Sequence, residues 1–178
     1  VADNVARCVA AGAAGCSIED WTGDPEKGFY EEDLAVERVA AAVEAAGDAI
    51  VITARSEALL YRHPDGLAMA LRRLKRFAEV GAPCVYAPGV VDPAQIAMLV
   101  LGAGAPINQL VGLPGVGATV DQMAELGVRR LSVGGSLMRA TIGPLIAAAR
   151  EMRDNGTFSF VDQAPSAGQI LKMFEADC

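Results

Sequence analysis

Hydrophobic and polar positions alternate along this chain in two rhythms that take turns. Short apolar runs read as strands over 16–20, 49–55, 84–87, 107–111 and 130–133. Between them, apolar residues recur at three- and four-residue spacing, which predicts helices over 33–46, 66–80, 93–101 and 119–126. A helix end over 3–12 precedes the first strand. Two helices, over 137–154 and 166–176, follow the last. Glycines stand where most of these helices stop, as a left-handed turn residue requires. Asp92 followed by Pro93 marks a capped helix start.

Strand–helix repetition implies parallel strands joined by right-handed crossovers. An open doubly wound sheet is one such architecture, but no G-x-G-x-x-G follows the first strand. The other is a (β/α)₈ TIM-type barrel, which takes about 250 residues. The chain has 178 residues. The expectation is therefore an α/β chain supplying the last five strand–helix units of a barrel, the first three being absent. It is read as one partial-barrel domain over 1–178, with a C-terminal helical extension over 164–178.

In such a barrel the strands' C-terminal ends carry the site. The first strand ends in Ile18-Glu19-Asp20 and the second in Ala54-Arg55-Ser56-Glu57. Either of the two acids could meet Mg²⁺ directly or through water, since that ion keeps several waters and uses few carboxylates. Adjacent strand residues point to opposite faces, so only one of the pair faces the mouth directly; Asp20 capping the next turn is the alternative. Arg55 offers a planar fork for a carboxylate or phosphate, with Glu57 to orient it, or the two form a structural pair. Asn108, polar inside an apolar strand, points into the site or bonds a neighbouring strand. Ser132 and Gly134-Gly135, before a long helix, form a backbone nest suited to an anion, or a plain tight turn. His63 has no partner motif for catalysis. Loop 21–32, with Trp21, Phe29 and Tyr30, reads as a lid or as an ordinary solvated loop.

Composition narrows the classes. A net charge of -7 argues against nucleic acid. No apolar run reaches the ~18–20 residues that span a bilayer. The first residues carry no basic, apolar leader, so a cytoplasmic protein is the expectation. Cys8, Cys16, Cys84 and Cys178 form no C-x-x-C pair and read as small buried hydrophobes. A single His makes zinc an unlikely metal on ligand count.

Three segments together resemble the isocitrate lyase/phosphoenolpyruvate mutase superfamily. Gly15-Cys16-Ser17-Ile18-Glu19-Asp20 matches its G-x-x-G-x-x-(I/L)-E-D strand, and Ile52-Thr53-Ala54-Arg55-Ser56-Glu57-Ala58 its (I/V)-x-A-R-(T/S/V)-(D/E)-A strand. Val128-Arg129-Arg130-Leu131-Ser132-Val133-Gly134 and Pro106-Ile107-Asn108 resemble its smaller phosphonomutase-like bacterial members. The resemblance implies an α/β barrel with Mg²⁺ at its mouth, acting on C–C or P–C bonds of a small 2-oxo or 2-hydroxy carboxylic acid through an enolate-like intermediate. It implies Glu19 in the metal shell, Arg55 on the substrate, and a dimer or tetramer that exchanges its C-terminal helix. Three departures stand out. The family's Mg²⁺-holding aspartates lie on earlier strands. Loop 21–32 lacks the K-(K/R)-C-G-H lid motif of the lyase members, and Pro88-Gly89 occupies the place of a further lyase glutamate. A metal-independent, phosphate-binding barrel enzyme and an inactive fragment or scaffold are the competing readings.

Overall fold

The computed structural model describes residues 1–112 and 118–175. The Gly/Pro-rich loop through Gly117 lies largely outside them, as do Cys178 and the last residue of the final expected helix. The chain divides into two compact units, Val1–Gly134 and Gly135–Cys178.

The first unit runs α1 (Ala2–Ala10), β1 (Gly15–Glu19), α2 (Glu32–Ala46), β2 (Val51–Arg55), α3 (Gly66–Glu79), β3 (Cys84–Tyr86), α4 (Pro93–Gly102), β4 (Ile107–Leu110), α5 (Val120–Glu125) and β5 (Arg130–Ser132). Every expected element is present, most within two residues of its expected ends. The strands form one sheet in the order β1-β2-β3-β4-β5, and every pairing is parallel. A doubly wound sheet would reverse its order at a switch point. This one never reverses, as a barrel wall requires.

The two sheet faces differ in chemistry because side chains alternate along each strand. Register aligns Ile18, Ala54, Val85 and Ile107 as one row. These side chains pack into the main core with Val39, Leu74, Phe77, Ile96, Leu99 and Met123 from the helices. The helices therefore cover this face.

Local signals fix the helices. In α3 the buried positions are 66, 69, 70, 73, 74 and 77, an unbroken core-facing stripe. Asp92 caps α4 by accepting from the Ala94 N–H, and Thr119 with Gln122 forms a capping box on α5. Gly81, after α3, has a φ of +93° and lets the chain turn back into β3. Gly15 is fixed for another reason: a Cβ there would sit 2.6 Å from the Val51 carbonyl oxygen.

The second unit holds α6 (Ser136–Asn155), a 3₁₀ turn over Ser159–Gln163 that the sequence pattern did not suggest, and α7 (Ala167–Glu175). None of these elements contains a buried residue. Gly156 closes α6 in the left-handed conformation.

Candidate active site

Side chains pointing away from the helices belong to one polar face. Register carries Glu19, Arg55, Tyr86, Asn108 and Arg130 across the sheet as a single row, one from each strand. Ser17, Thr53 and Cys84 form the row beneath it, and Ser132 stands above it on β5. A cavity of about 320 Å³ opens below, lined by Gly15, Ser17, Val51, Thr53 and Arg130 among others.

Arg55 is the hub. Its Nε donates to Glu57 Oε1 at 2.7 Å, and its Nη1 lies 3.1 Å from Glu19 Oε1. Its guanidinium lies over the Tyr86 ring, 4.9 Å from the centroid. Burial disfavours the charge on Arg55, yet pairing with Glu57 and Glu19 more than offsets this and raises its pKa. Burial pushes the Glu57 carboxyl up, with Arg55 pulling it back only in part. The Glu19 side chain is 42% exposed.

Asn108 is held in one orientation by its neighbours. Arg130 Nε donates to its Oδ1 at 2.9 Å, and its own Nδ2 donates to Ser132 Oγ at 2.9 Å. Arg130 Nη2 also donates to Thr53 Oγ1. The Tyr86 phenol's pKa is raised by burial and drawn back by Arg55 and Ser132. Thus Arg55, Tyr86, Ser132, Asn108, Arg130 and Thr53 form one continuous polar chain. Asn108 both faces the polar side and bonds a neighbouring strand, which joins the two alternatives left open by the sequence.

Asp20 faces away from this polar row. It is 1% exposed and sits on the opposite side of the strand end. Its Oδ1 accepts the Glu57 N–H at 2.8 Å; its Oδ2 accepts from Ser56 Oγ at 2.9 Å and from Arg73 Nη1 at 3.1 Å. Arg73 Nη2 donates in turn to the Tyr30 carbonyl. Both carboxylate oxygens are engaged in tying β1, β2 and α3 together, which gives Asp20 the role of a structural anchor.

The remaining candidates are distributed as follows. Gly134 lies two residues beyond Ser132 with a φ of +53°. His63 Nδ1 accepts the Asp65 N–H, and its ring packs edge-on against Phe29. It serves a turn. The loop after β1 folds on itself: Thr22 Oγ1 donates to the Gly28 carbonyl, and Trp21 bridges to Phe29. Trp21 also stacks on Tyr61 with centroids 4.2 Å apart, joining this loop to the one after β2.

Sequence reasoning missed Tyr86, Arg130 and Arg73. Arg130 shares parity with Ser132 on β5, but the place of both Tyr86 and Arg130 in the row follows only from the register between strands. Arg73 was detectable because it falls on the apolar stripe of α3.

Parallel strands in barrel order, with acid, arginine and amide converging at their C-terminal ends, define a segment of an α/β barrel. The family model for phosphoenolpyruvate phosphomutase matches residues 1–153, and the chain belongs to this family within the isocitrate lyase/phosphoenolpyruvate mutase superfamily. A crystal structure described as a lyase/mutase from Burkholderia cenocepacia J2315 superposes with a TM-score of 0.92 at 42% identity, covering 98% of this chain and 63% of that one. Phosphonopyruvate hydrolase in complex with oxalate and Mg²⁺ gives a TM-score of 0.78 at 26% identity, covering 99% of this chain and 65% of that one. The 2-methylisocitrate lyase of Escherichia coli K12 is 32% identical over 126 residues, 67% of this chain and 41% of that protein. The chain thus spans less than two thirds of each relative, in keeping with a partial barrel.

Proposed function

We propose that this chain carries part of the active site of a Mg²⁺-dependent lyase or mutase acting on a small 2-oxo or 2-hydroxy carboxylic acid, at a C–C or P–C bond. The observation that carries the reading is the fixed Arg55 fork within the row Glu19, Arg55, Tyr86, Asn108 and Arg130. Arg55 meets a substrate carboxylate with charge-assisted hydrogen bonds. Glu57 fixes the plane of its guanidinium and hence the angle of approach. The Tyr86 phenol and the Asn108 amide, the latter pinned by Ser132 and Arg130, present dipoles toward charge that develops on the substrate's oxygens.

The residues fit Mg²⁺ only in part. Glu19 is exposed enough to offer a carboxylate oxygen, but among the described residues no group of three His, Cys, Asp or Glu stands together as a metal cage. Glu19 would hold the ion on one side, with its other ligands supplied by water, substrate and further protein groups. Bound there, Mg²⁺ would supply positive charge to stabilise an enolate. The likeness to phosphonopyruvate hydrolase, whose complex contains oxalate and Mg²⁺, supports this assignment. The absence of Cys and His from loop 21–32 argues against lyase chemistry of the isocitrate type.

Oxalate titration in the presence of Mg²⁺ tests the reading, followed by a screen of oxaloacetate, phosphonopyruvate and 2-methylmalate-like acids. Arg55→Lys keeps the charge and loses the fork, and is expected to weaken oxalate by about tenfold or more, roughly 1.4 kcal/mol. Equal binding by wild type and variant would overturn it. Turnover that survives chelation but is lost in Gly134→Val would favour the phosphate-binding, metal-independent alternative instead.

We further propose a homo-oligomer, dimer or tetramer, that exchanges the C-terminal helix. Leu137, Met138, Leu145, Leu171 and Met173 of the second unit are all exposed apolar side chains, which supports an association through α6 and α7.

A further inference from the structure

The helix-covered side of the sheet brings two thiols together. Cys8 lies near the end of α1 and Cys16 is the second residue of β1. The turn between them is tight: Gly12 N–H bonds the Val9 carbonyl at 3.0 Å, and Ala13 N–H bonds the Cys8 carbonyl at 3.1 Å. This turn leads from the end of α1 directly into β1. Both cysteines pack against the cluster of Val5, Ala42, Ala46, Ile50 and Ile52. Both line one cleft of about 220 Å³, with Val5, Ile18 and Arg38. The Cys8 thiol is near enough to act on the Cys16 thiol, and both residues are partly exposed. Cys84, by contrast, is buried on the polar face of the sheet.

We propose that Cys8 and Cys16 are a site of reversible oxidation, forming a disulfide with a small hydroperoxide as oxidant. One sulfur, as thiolate, attacks the terminal peroxide oxygen. The O–O bond breaks, and the leaving oxygen departs as water or alcohol after taking up a proton. The first cysteine is now a sulfenic acid. The second sulfur then attacks it, an S–S bond forms, the S–O bond breaks, and hydroxide leaves with the thiol proton as water. Two thiols are oxidised and one peroxide is reduced. Burial, together with the neighbouring Cys8, pushes the Cys16 thiol up, which suits Cys16 to the second role. The bond closes a loop of about nine residues and ties the end of α1 to the edge strand that carries Glu19.

The test is intact-mass and peptide-map analysis of the full chain after roughly one equivalent of hydrogen peroxide. The expected product is lighter by about two mass units, reverts with dithiothreitol, and yields a peptide linking Cys8 to Cys16. Cys8→Ser and Cys16→Ser each abolish that product, with Cys8→Ala and Cys16→Ala as replacements where serine impairs folding; Cys84→Ser retains it. Addition of oxygen without a cross-link, a cross-link between chains, or one that uses Cys84 or Cys178 overturns the proposal. The oxidised wild type should also melt several degrees higher than the reduced protein. An unchanged or lower melting temperature means the bond forms only outside the native fold, and overturns it as well.

Discussion

Glu19 and Asp20 are neighbours in sequence with the same charge, yet they do opposite work. Alternation along β1 sends Glu19 to the polar face beside Arg55 and turns Asp20 toward the helices, where Arg73 meets it. The Asp20 and Arg73 side chains are 0% and 6% exposed. Removing one charge of such a pair leaves the other buried and uncompensated. Asp20→Asn is therefore expected to cost about 3–5 kcal/mol in urea unfolding, a loss that precedes any effect on catalysis. A change below about 1 kcal/mol would remove the anchoring role. The sequence made Glu19 and Arg55 legible because strand ends are where barrels place their chemistry. It also raised the two-face problem at Asp20, but could not resolve it, because the deciding partner lies on α3, far along the chain. Tyr86 and Arg130 escaped notice for a related reason: their meaning depends on register with strands that only folding places beside them.

At the scale of elements, nearly every helix and strand was legible from periodicity, caps and glycines, since those signals are local. How α2 meets α3 was not legible. The structure places Glu32, at the first position of α2, between Arg72 and Arg76 of α3, with contacts of 2.6 and 3.0 Å. Burial tends to raise the Glu32 pKa, but the hydrogen bonds from Arg72 and Arg76 outweigh it, and the net shift is downward. A lowered folded pKa means that the unfolded chain binds the proton more readily. The stabilisation is then complete above the ordinary value of 4.5 and is lost as pH falls through the folded pKa. Glu32→Gln should be less stable than wild type near neutral pH, and the gap should close on acidification below that value. Urea midpoints measured across the acid range check this. A gap that is constant with pH would mean the pairing contributes packing and not charge.

At the scale of the molecule, the order of five parallel strands leaves β1 and β5 as the two sheet edges. The polar row that they bound was readable from sequence only in outline. The second unit poses a different problem, because none of its helices contains a buried residue. Leu171 and Met173 of α7 are 61% and 66% exposed, and Leu145 of α6 is 67% exposed. Burying a side chain of this size against another surface is worth roughly 1.5–3 kcal/mol. Several such residues lie exposed on two helices, and a second copy of the chain would present the same surface. Exchange of α7 between subunits would bury Leu171 and Met173 together. Replacing both with Glu should then weaken self-association by at least about tenfold for each residue buried. Sedimentation velocity over a concentration series reads this directly. Wild type should sediment as a dimer or tetramer, and the double variant should shift to the monomer with its far-UV circular dichroism retained. A monomeric wild type, or a variant that sediments unchanged, would show that α7 does not hold the assembly.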